Sequence, residues 1–424
     1  MSRFSSDVLQ VNAVAGLARR PTQAGRGVLL LPPVLAFLAG NVFYGLAAAA
    51  LGPGASYLEP VLHARWDSWN YANIARVGYL LQPCNPATSP FSAADWCGTA
   101  GWFPLYPLGM RGLHLLGLSW PAAGWLLSEL CTFGSLLLIW ILLGARLTAA
   151  NLWCLALAVV FPGSIYYHAV FPISLATFAT LGCVVLLGRG RWVAGGVVGA
   201  VAAASYPLGL MLVPAVALGL MFGRGSLPAR GWLPRVVAAS ALVGVGGLFV
   251  VGLQQQAVGH WDAYLKVQAS YGNGTHNPAQ QLHRVLLEPV VSRDGIDPRV
   301  PYDASDTFNI EQARARVVGR FGFTRGPQAQ LALTVSLVAL GLALTYGRRP
   351  VGLVDTLIAL CICTVWVAPL LVAGSVTLHR SNALLLPLVV LLRGLPRFAQ
   401  AAVVLVAATI AWVMAMLFYV SVLI

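Results

Sequence analysis

Residues 63–79 bring one acid, two arginines and several aromatic side chains together in a short stretch of chain. The pattern predicts a short helix that stops at Gly78, because glycine is common just past the last helical turn. At 100° per residue, the side chains that share a face with Asp67 are His63, Asn70 and Tyr71. An acid held among aromatic side chains is a candidate general base, which takes the proton from an attacking hydroxyl group. The open alternative is an interfacial helix in which Asp67 only caps the turn that follows.

Cations elsewhere in the sequence could hold a phosphate group, because arginine donates paired hydrogen bonds to phosphate oxygens. Arg65 and Arg76 fall on the helix face opposite Asp67, which favours contact with lipid headgroups over contact with a donor phosphate. The remaining candidates for binding a donor phosphate or a substrate are His168, Lys266, His379 and Arg380. For each of them, the alternative is a side chain that faces water or lipid headgroups without contacting a substrate.

The composition indicates which elements must position these residues. Of the 424 residues, 58% are hydrophobic and 9% are charged, whereas a soluble domain carries about 25% charged residues. These values exclude a soluble enzyme, a disordered chain and a nucleic-acid-binding domain. The net charge of +13 therefore indicates anionic membrane lipids, and not nucleic acid, as partners.

About eleven apolar runs have the length of helices, which predicts an all-α polytopic membrane protein with about 11 transmembrane helices. The runs cover residues 27–51, 121–145, 149–165, 169–188, 192–207, 208–222, 234–253, 328–346, 351–373, 382–393 and 398–422. Because short cytoplasmic loops carry the arginine excess, we expect residues 1–26 to be cytoplasmic and residues 27–424 to form a single transmembrane domain. Two long extracytoplasmic loops are then predicted, at 52–120 and 255–327. The preference for arginine over lysine suggests a bacterial chain, which would lie in the cytoplasmic membrane.

Cysteines and acids in unusual places carry further predictions. Cys84 and Cys97 lie in the first external loop, where an oxidising compartment favours a disulfide bond between them. No Asp-x-Asp motif occurs in an external loop, so no metal site is predicted. Two acids, Glu129 and Asp355, lie within apolar runs, where ions are usually paired.

A structural role is expected for Asp355 beside Arg348 and Arg349, whereas Glu129 receives no role. The polar stretch 294–325 is interpreted either as a lid over the site or as a solvated loop.

Several motifs resemble the PIG-V family, the polyprenyl-phosphate-sugar-dependent mannosyltransferases of the glycosyltransferase C superfamily. The first motif is Arg-Trp-Asp-x-x-x-Tyr-x-x-Ile-Ala-x-x-Gly-Tyr at 65–79, and the second is Phe-Pro-Leu-Tyr-Pro at 103–107. Weaker similarities cover 161–171, 259–268 and 378–387, so the resemblance follows most of the chain in order.

The resemblance implies a glycosyltransferase C type fold and an inverting enzyme whose active site faces away from the cytoplasm. Asp67 matches the family's base, and cations such as Arg380 would hold the donor phosphate. The donor would be a polyprenyl-phosphate hexose, with mannose expected, and the acceptor a glycan, a glycolipid or a protein. No cofactor is expected beyond this lipid-linked donor.

Two departures keep other functions open. The resemblance leads us to expect a glutamate where Ile173 stands and an arginine where Tyr206 stands. A non-catalytic assembly subunit of the same fold is therefore one alternative. A lipid or solute transporter is the other, and the sequence disfavours it because only Glu129 and Asp355 place ionisable groups inside apolar runs.

Overall fold

The computed structural model describes residues 26–87, 89, 91–223, 231–287, 313–315, 317, 326–347, 351–372, 378–421 and 423. Of the described residues, 76% are helical, and almost none lie in a sheet. The predictions for the N-terminal segment 1–25, for Arg348 and Arg349, and for nearly all of the stretch 294–325 lie outside the described residues.

Among the described residues, six helices are long and apolar enough to cross a membrane. They are α1 (Arg26–Ala49), α4 (Trp120–Leu142), α10 (Trp232–Val258), α13 (Gly326–Tyr346), α14 (Leu353–Val372) and α17 (Arg397–Tyr419). The start of α4 shows how the sequence sets a boundary. The hydroxyl group of Ser119 accepts a hydrogen bond from the backbone N–H of Ala122. Pro121 lies in the first turn, where a backbone N–H would have no acceptor within the helix.

Shorter apolar helices occupy most of the remaining predicted runs. They are α5 (Ala149–Val159), α7 (Ile173–Gly188), α8 (Trp192–Ser205) and α9 (Leu212–Phe222), the last preceded by a 3-10 helix over Pro207–Met211. The run at 382–393 is not one helix. It divides into α15 (Leu378–Ser381), a 3-10 helix (Asn382–Leu385), α16 (Leu388–Leu391) and a 3-10 helix (Leu392–Gly394). Pro387 contributes to the break because it lacks the N–H that a continuous helix needs. The predicted count of about 11 spanning helices is thus not confirmed.

The segments between these helices carry short elements of their own. In the first loop they are a 3-10 helix (Pro60–His63), α2 (Ser68–Val77), the paired strands β1 (Gln82–Pro83) and β2 (Trp96–Cys97), a 3-10 helix (Thr99–Gly101) and α3 (Leu105–His114). Later segments hold α6 (Ile165–His168), α11 (Ala263–Ser270) and α12 (Pro278–Leu287). As predicted, a disulfide bond joins Cys84 to Cys97, beside the strand pair.

Two contacts join helix ends that are distant in sequence. In the first, Arg393 donates two hydrogen bonds to Asp355, at 3.0 and 2.6 Å. In the second, the amide of Gln254, near the end of α10, donates to the backbone carbonyl of Ala100 in the first loop at 2.8 Å. Asp355 thus has a charged partner, as expected, but that partner is Arg393.

The packing of α8 against α10 fixes the chain just before the candidate site. Both helices carry small residues where they meet, and a Cβ atom at Gly246 would lie 2.2 Å from the carbonyl oxygen of Ala200. Small residues let two helix backbones approach closely, which favours van der Waals packing between apolar helices. α8 ends at Ser205, so this contact sets the position of Tyr206.

Candidate functional site

The segment that carries Asp67 differs from its predicted form. α2 begins at Ser68 and not at His63, because Pro60–His63 is a 3-10 helix and Trp66 has a φ of 51°, in the left-handed region. The helical rotation of 100° per residue therefore does not apply before Asp67. The predicted placement of His63 beside Asp67 was wrong for this reason. Gly78 does end the helix, with a φ of 86°. Asp67 stands at the N-cap position of α2, as the capping alternative predicted, but its side chain makes no capping hydrogen bond.

Asp67 forms an ion pair with Arg380, which lies 313 residues further along the chain. Nη1 of Arg380 donates to Oδ2 of Asp67. The side chain of Arg380 is 7% exposed and that of Asp67 is 29% exposed, and the guanidinium group lies 5.2 Å from the ring centre of Phe171. A buried cation is therefore held by one carboxylate that is still accessible from outside, and two of the predicted site residues meet.

Tyrosine side chains surround this pair. Tyr71, which was predicted to share the face of Asp67, is buried, and its burial and then the negative charge of Asp67 hold its pKa well above the usual value. Tyr166 and Tyr206 are close enough to interact electrostatically with both Asp67 and Arg380. Sequence reasoning gave Tyr166 no role, and the only sign of it was an aromatic pair at the end of an apolar run.

Several buried polar atoms near Arg380 have no hydrogen-bond partner among the described residues. The hydroxyl group of Tyr166 is buried beside Arg380 but makes no hydrogen bond of normal geometry with the residues described. The same holds for both amide atoms of Asn382, which follows α15. A buried polar group without a partner costs roughly 1–3 kcal/mol, so such groups suit a site that a polar ligand completes.

Two more predicted residues lie in or near this region. The ring of His379 is 5.9 Å from the ring of Tyr166, and its backbone carbonyl accepts a hydrogen bond from Gln330 at 2.8 Å, which fixes α15 against α13. Asn70 is half-buried in the first turn of α2, and its backbone N–H donates to the carbonyl of Asp67 at 2.9 Å. His379 therefore packs against Tyr166 beside the ion pair, and Asn70 lies one helical turn beyond Asp67.

Lys266 belongs to a different cluster. Its ammonium group lies 3.3 Å from Asp262, 2.8 Å from Nδ1 of His260 and 4.9 Å from the ring centre of Trp96. In the part of the chain described, none of these contacts of Lys266 reaches Arg380.

The two arginines of the first motif also separate from each other. The side chain of Arg76 is exposed and donates to Asn73 at 3.3 Å. Arg65 is buried instead of facing headgroups, and its backbone N–H donates to the hydroxyl group of Ser68 at 3.0 Å. The prediction that both face the membrane surface therefore fails for Arg65, because the helix starts after it.

His168 contributes to a buried polar cluster around Glu129. Oε1 of Glu129 accepts hydrogen bonds from Nδ1 of His168 at 2.8 Å and from the indole N–H of Trp125 at 3.1 Å. The hydroxyl group of Tyr57 lies 3.3 Å from the same oxygen, and the amide of Asn41 donates to the other oxygen at 3.3 Å. The sequence singled out Glu129 as an acid in an apolar run but could not identify these partners.

His63 completes the Glu129 cluster. Its ring stacks on Trp125 with the ring centres 4.7 Å apart, and its Nε2 donates to the carbonyl of Tyr57 at 2.7 Å. Burial lowers the pKa of His63 to about 4, so the ring is neutral at ordinary pH. Its own carbonyl accepts a hydrogen bond from Val170 at 2.9 Å. The cluster thus fixes the segment that ends at Phe171, against which Arg380 packs.

Comparison with known proteins leaves the family open. No protein-family model and no curated protein matches the chain, so membership of the PIG-V family is not confirmed. One similar solved structure is the crystal structure of the Archaeoglobus fulgidus oligosaccharyltransferase, tethered through a disulfide bond to an acceptor peptide containing the NVT sequon. The two chains are 11% identical with a TM-score of 0.44, and the similarity covers 90% of this chain and 55% of that one. The chain thus spans about half the length of that relative.

Proposed function

We propose that the protein is a membrane glycosyltransferase that moves a hexose, with mannose as the first candidate, from a polyprenyl-phosphate carrier to an acceptor hydroxyl group. The observation that carries this proposal is the ion pair between a partly exposed Asp67 and a buried Arg380. It offers a proton acceptor and an anion-binding group side by side, and sugar transfer from a lipid phosphate needs both.

The reaction is a single displacement. The acceptor oxygen attacks the anomeric carbon of the sugar, a new C–O bond forms, and the bond from that carbon to the phosphate oxygen breaks. Asp67 takes the proton of the acceptor hydroxyl group, and the polyprenyl phosphate leaves with the bonding electrons. One in-line displacement inverts the anomeric configuration, and a positioned base accelerates such a step roughly 10²–10⁴-fold.

Arg380 would hold the phosphate of the donor. A guanidinium group fits two phosphate oxygens at once and keeps its charge under all ordinary conditions. When the phosphate binds, it competes with Asp67 for the same N–H groups, and the carboxylate becomes free to face the acceptor. Tyr166 and Tyr206 stand near both charged groups and offer hydroxyl groups to the phosphate or to the sugar.

The surroundings favour a donor that resides in the membrane. Asp67 and Arg380 lie in segments that connect helices long and apolar enough to span a bilayer, and Leu115 and Leu116, just after α3, are exposed in the same loop as Asp67. We infer that the site faces away from the cytoplasm of a bacterial cell and that the acceptor is a glycan, a glycolipid or a protein. The proposal requires no cofactor beyond the lipid-linked donor.

The test uses purified full-length protein in liposomes with a panel of radiolabelled polyprenyl-phosphate hexoses. A membrane extract of the source cells serves as the pool of acceptors. We expect one donor to release free polyprenyl phosphate and to label a product, and the Asp67→Asn variant to do neither. If no donor is consumed by folded protein in the presence of the extract, the proposal is wrong.

One observation favours a second candidate, the non-catalytic assembly subunit. The ion pair joins segments that are distant in sequence, and such a pair can simply hold the start of α2 against α15. In that case Asp67→Asn lowers stability and no donor is consumed. The transporter alternative gains no such support, because Glu129 is bonded to His168 and Asp355 to Arg393.

A further inference from the structure

A separate cleft of about 240 Å³ opens between the last turns of α2, the start of α3 and the end of α10. Its walls are mainly apolar, and the side chains that matter here are Ile74, Ala75, Pro107, Leu108, Leu253 and Ala257. Ile74 lies seven residues beyond Asp67, which is about 10 Å along a helix. The cleft is thus distinct from the ion pair at the other end of α2.

The helix beside this cleft has the surface of a membrane-interface element. Just after the last turn of α3, Leu115 and Leu116 are 80% and 78% accessible. Within α3, Leu108 is also exposed. Charged Arg111 lies between these leucines on the same short segment. An amphipathic helix with exposed leucines and a cation typically lies in the plane of the lipid headgroups.

Arg111 lines the cleft, and the exposed Arg76 follows the lining residue Ala75 in sequence. Nε of Arg111 donates to the carbonyl of Ala75 at 2.8 Å, and its Nη2 donates to the carbonyl of Arg76 at 3.3 Å. These bonds use two of the five N–H groups of Arg111. Neither Arg111 nor Arg76 forms an ion pair with a carboxylate in the part of the chain described here. The remaining N–H groups are available to an anion.

We propose that this cleft binds one anionic phospholipid, with its phosphate held by Arg111 and Arg76 and one acyl chain between α2, α3 and α10. The apolar walls match the chain, and the two cations match the phosphate. This inference does not depend on the proposed glycosyl transfer, because the cleft has its own cations and no part in the reaction. A bound lipid would join the end of α3 to α2, which carries Asp67 at its start.

The test is native mass spectrometry of the full-length protein, titrated in detergent with phosphatidylglycerol or with phosphatidylcholine. The unaltered protein should retain one phosphatidylglycerol in preference to phosphatidylcholine. Arg76→Gln removes a charge without touching the bonds between α3 and α2, and Ala257→Phe fills the cleft from α10. We expect each substitution to weaken retention of that lipid at least tenfold.

Matched controls decide between this cleft and lipid bound elsewhere. Arg146→Gln removes an exposed cation before α5, and Val251→Phe enlarges an exposed residue of α10 outside the cleft. Both should retain the lipid normally. Glycerol phosphate, which has no acyl chain, should not raise the melting temperature, whereas phosphatidylglycerol should. Equal retention by Arg76→Gln, Ala257→Phe and the controls would overturn the proposal, and so would equal stabilisation by glycerol phosphate.

Discussion

Two polar clusters, each built around one acid, differ in how completely their hydrogen bonds are made. Glu129 is buried and is surrounded by His168, Trp125 and other donors at 2.8–3.3 Å. Asp67 has one charged partner and keeps 29% of its side chain accessible. A buried acid whose two oxygens are bonded specifies a structure, whereas an unsaturated cluster leaves polar groups for a ligand. The comparison supports a scaffold role for Glu129 and the proposed chemical role of Asp67.

The two clusters are linked through the chain between α6 and α7. The hydroxyl group of Ser128 donates to the carbonyl of Ala169 at 2.7 Å, and Val170 donates to the carbonyl of His63 at 2.9 Å. This segment ends at Phe171, whose ring lies against the guanidinium group of Arg380. The Glu129 cluster therefore positions a wall of the unsaturated cluster around Asp67, and the substitutions below test this division of roles.

The largest effect is expected on stability from Glu129→Ala. The substitution leaves the buried donors of His168, Trp125 and Asn41 without their acceptor, and each unsatisfied buried group costs about 1–3 kcal/mol. Thermal unfolding in detergent measures the loss. Glu59→Ala, which removes an exposed acid, should change little. If Glu129→Ala is as stable as Glu59→Ala, the cluster does not support the scaffold.

The same cluster should respond to pH. Because the pKa of His63 falls to about 4 in the folded protein from about 6.5 when unfolded, the unfolded chain binds a proton first as the pH falls. His63 therefore contributes its full stability above pH 6.5 and loses it between pH 6.5 and 4, by about 3 kcal/mol. Melting temperatures across this range should drop less in His63→Gln than in His276→Gln. If the melting temperatures of the two variants fall equally between pH 6.5 and 4, the loss of stability does not come from protonation of His63.

In the unsaturated cluster, Asp67→Asn should lower sugar transfer at least a hundredfold, in line with the usual contribution of a general base. The variant should still fold and bind donor, since its shape is unchanged. Asp262→Asn is the matched control, because Asp262 is a surface acid bonded to Lys266. Turnover assays with purified protein compare the two. If Asp262→Asn loses sugar transfer while Asp67→Asn keeps near-normal turnover, the general base is Asp262 and not Asp67.

Arg380→Ala should act on donor binding. The loss of a charged hydrogen bond to phosphate costs about 2–3 kcal/mol, so we expect donor affinity to fall by about 30–150-fold. Arg393→Ala removes an arginine that is paired with an acid at the opposite end of the helices and should leave affinity unchanged. Equal affinities in binding assays of the two variants would show that Arg380 does not hold the donor.

Much of the helical fold could be predicted from the sequence, and the pairing within the site could not. The lengths of the apolar runs identified the long helices. The aromatic side chains clustered around one acid indicated Asp67 as a candidate site residue. The helix start was wrong because Trp66 adopts a positive φ that no periodicity signals. The meeting of Asp67 with Arg380 depends on contacts between segments 313 residues apart, for which local spacing carries no information.

The most direct test of the account is a cryo-electron microscopy structure of the protein with bound polyprenyl phosphate. We predict that a phosphate oxygen lies within hydrogen-bond distance of the guanidinium group of Arg380. Asp67 should then have left that group and face the space where an acceptor would bind. Phosphate density at Lys266, or an unchanged ion pair between Asp67 and Arg380 with the lipid bound elsewhere, would contradict the account.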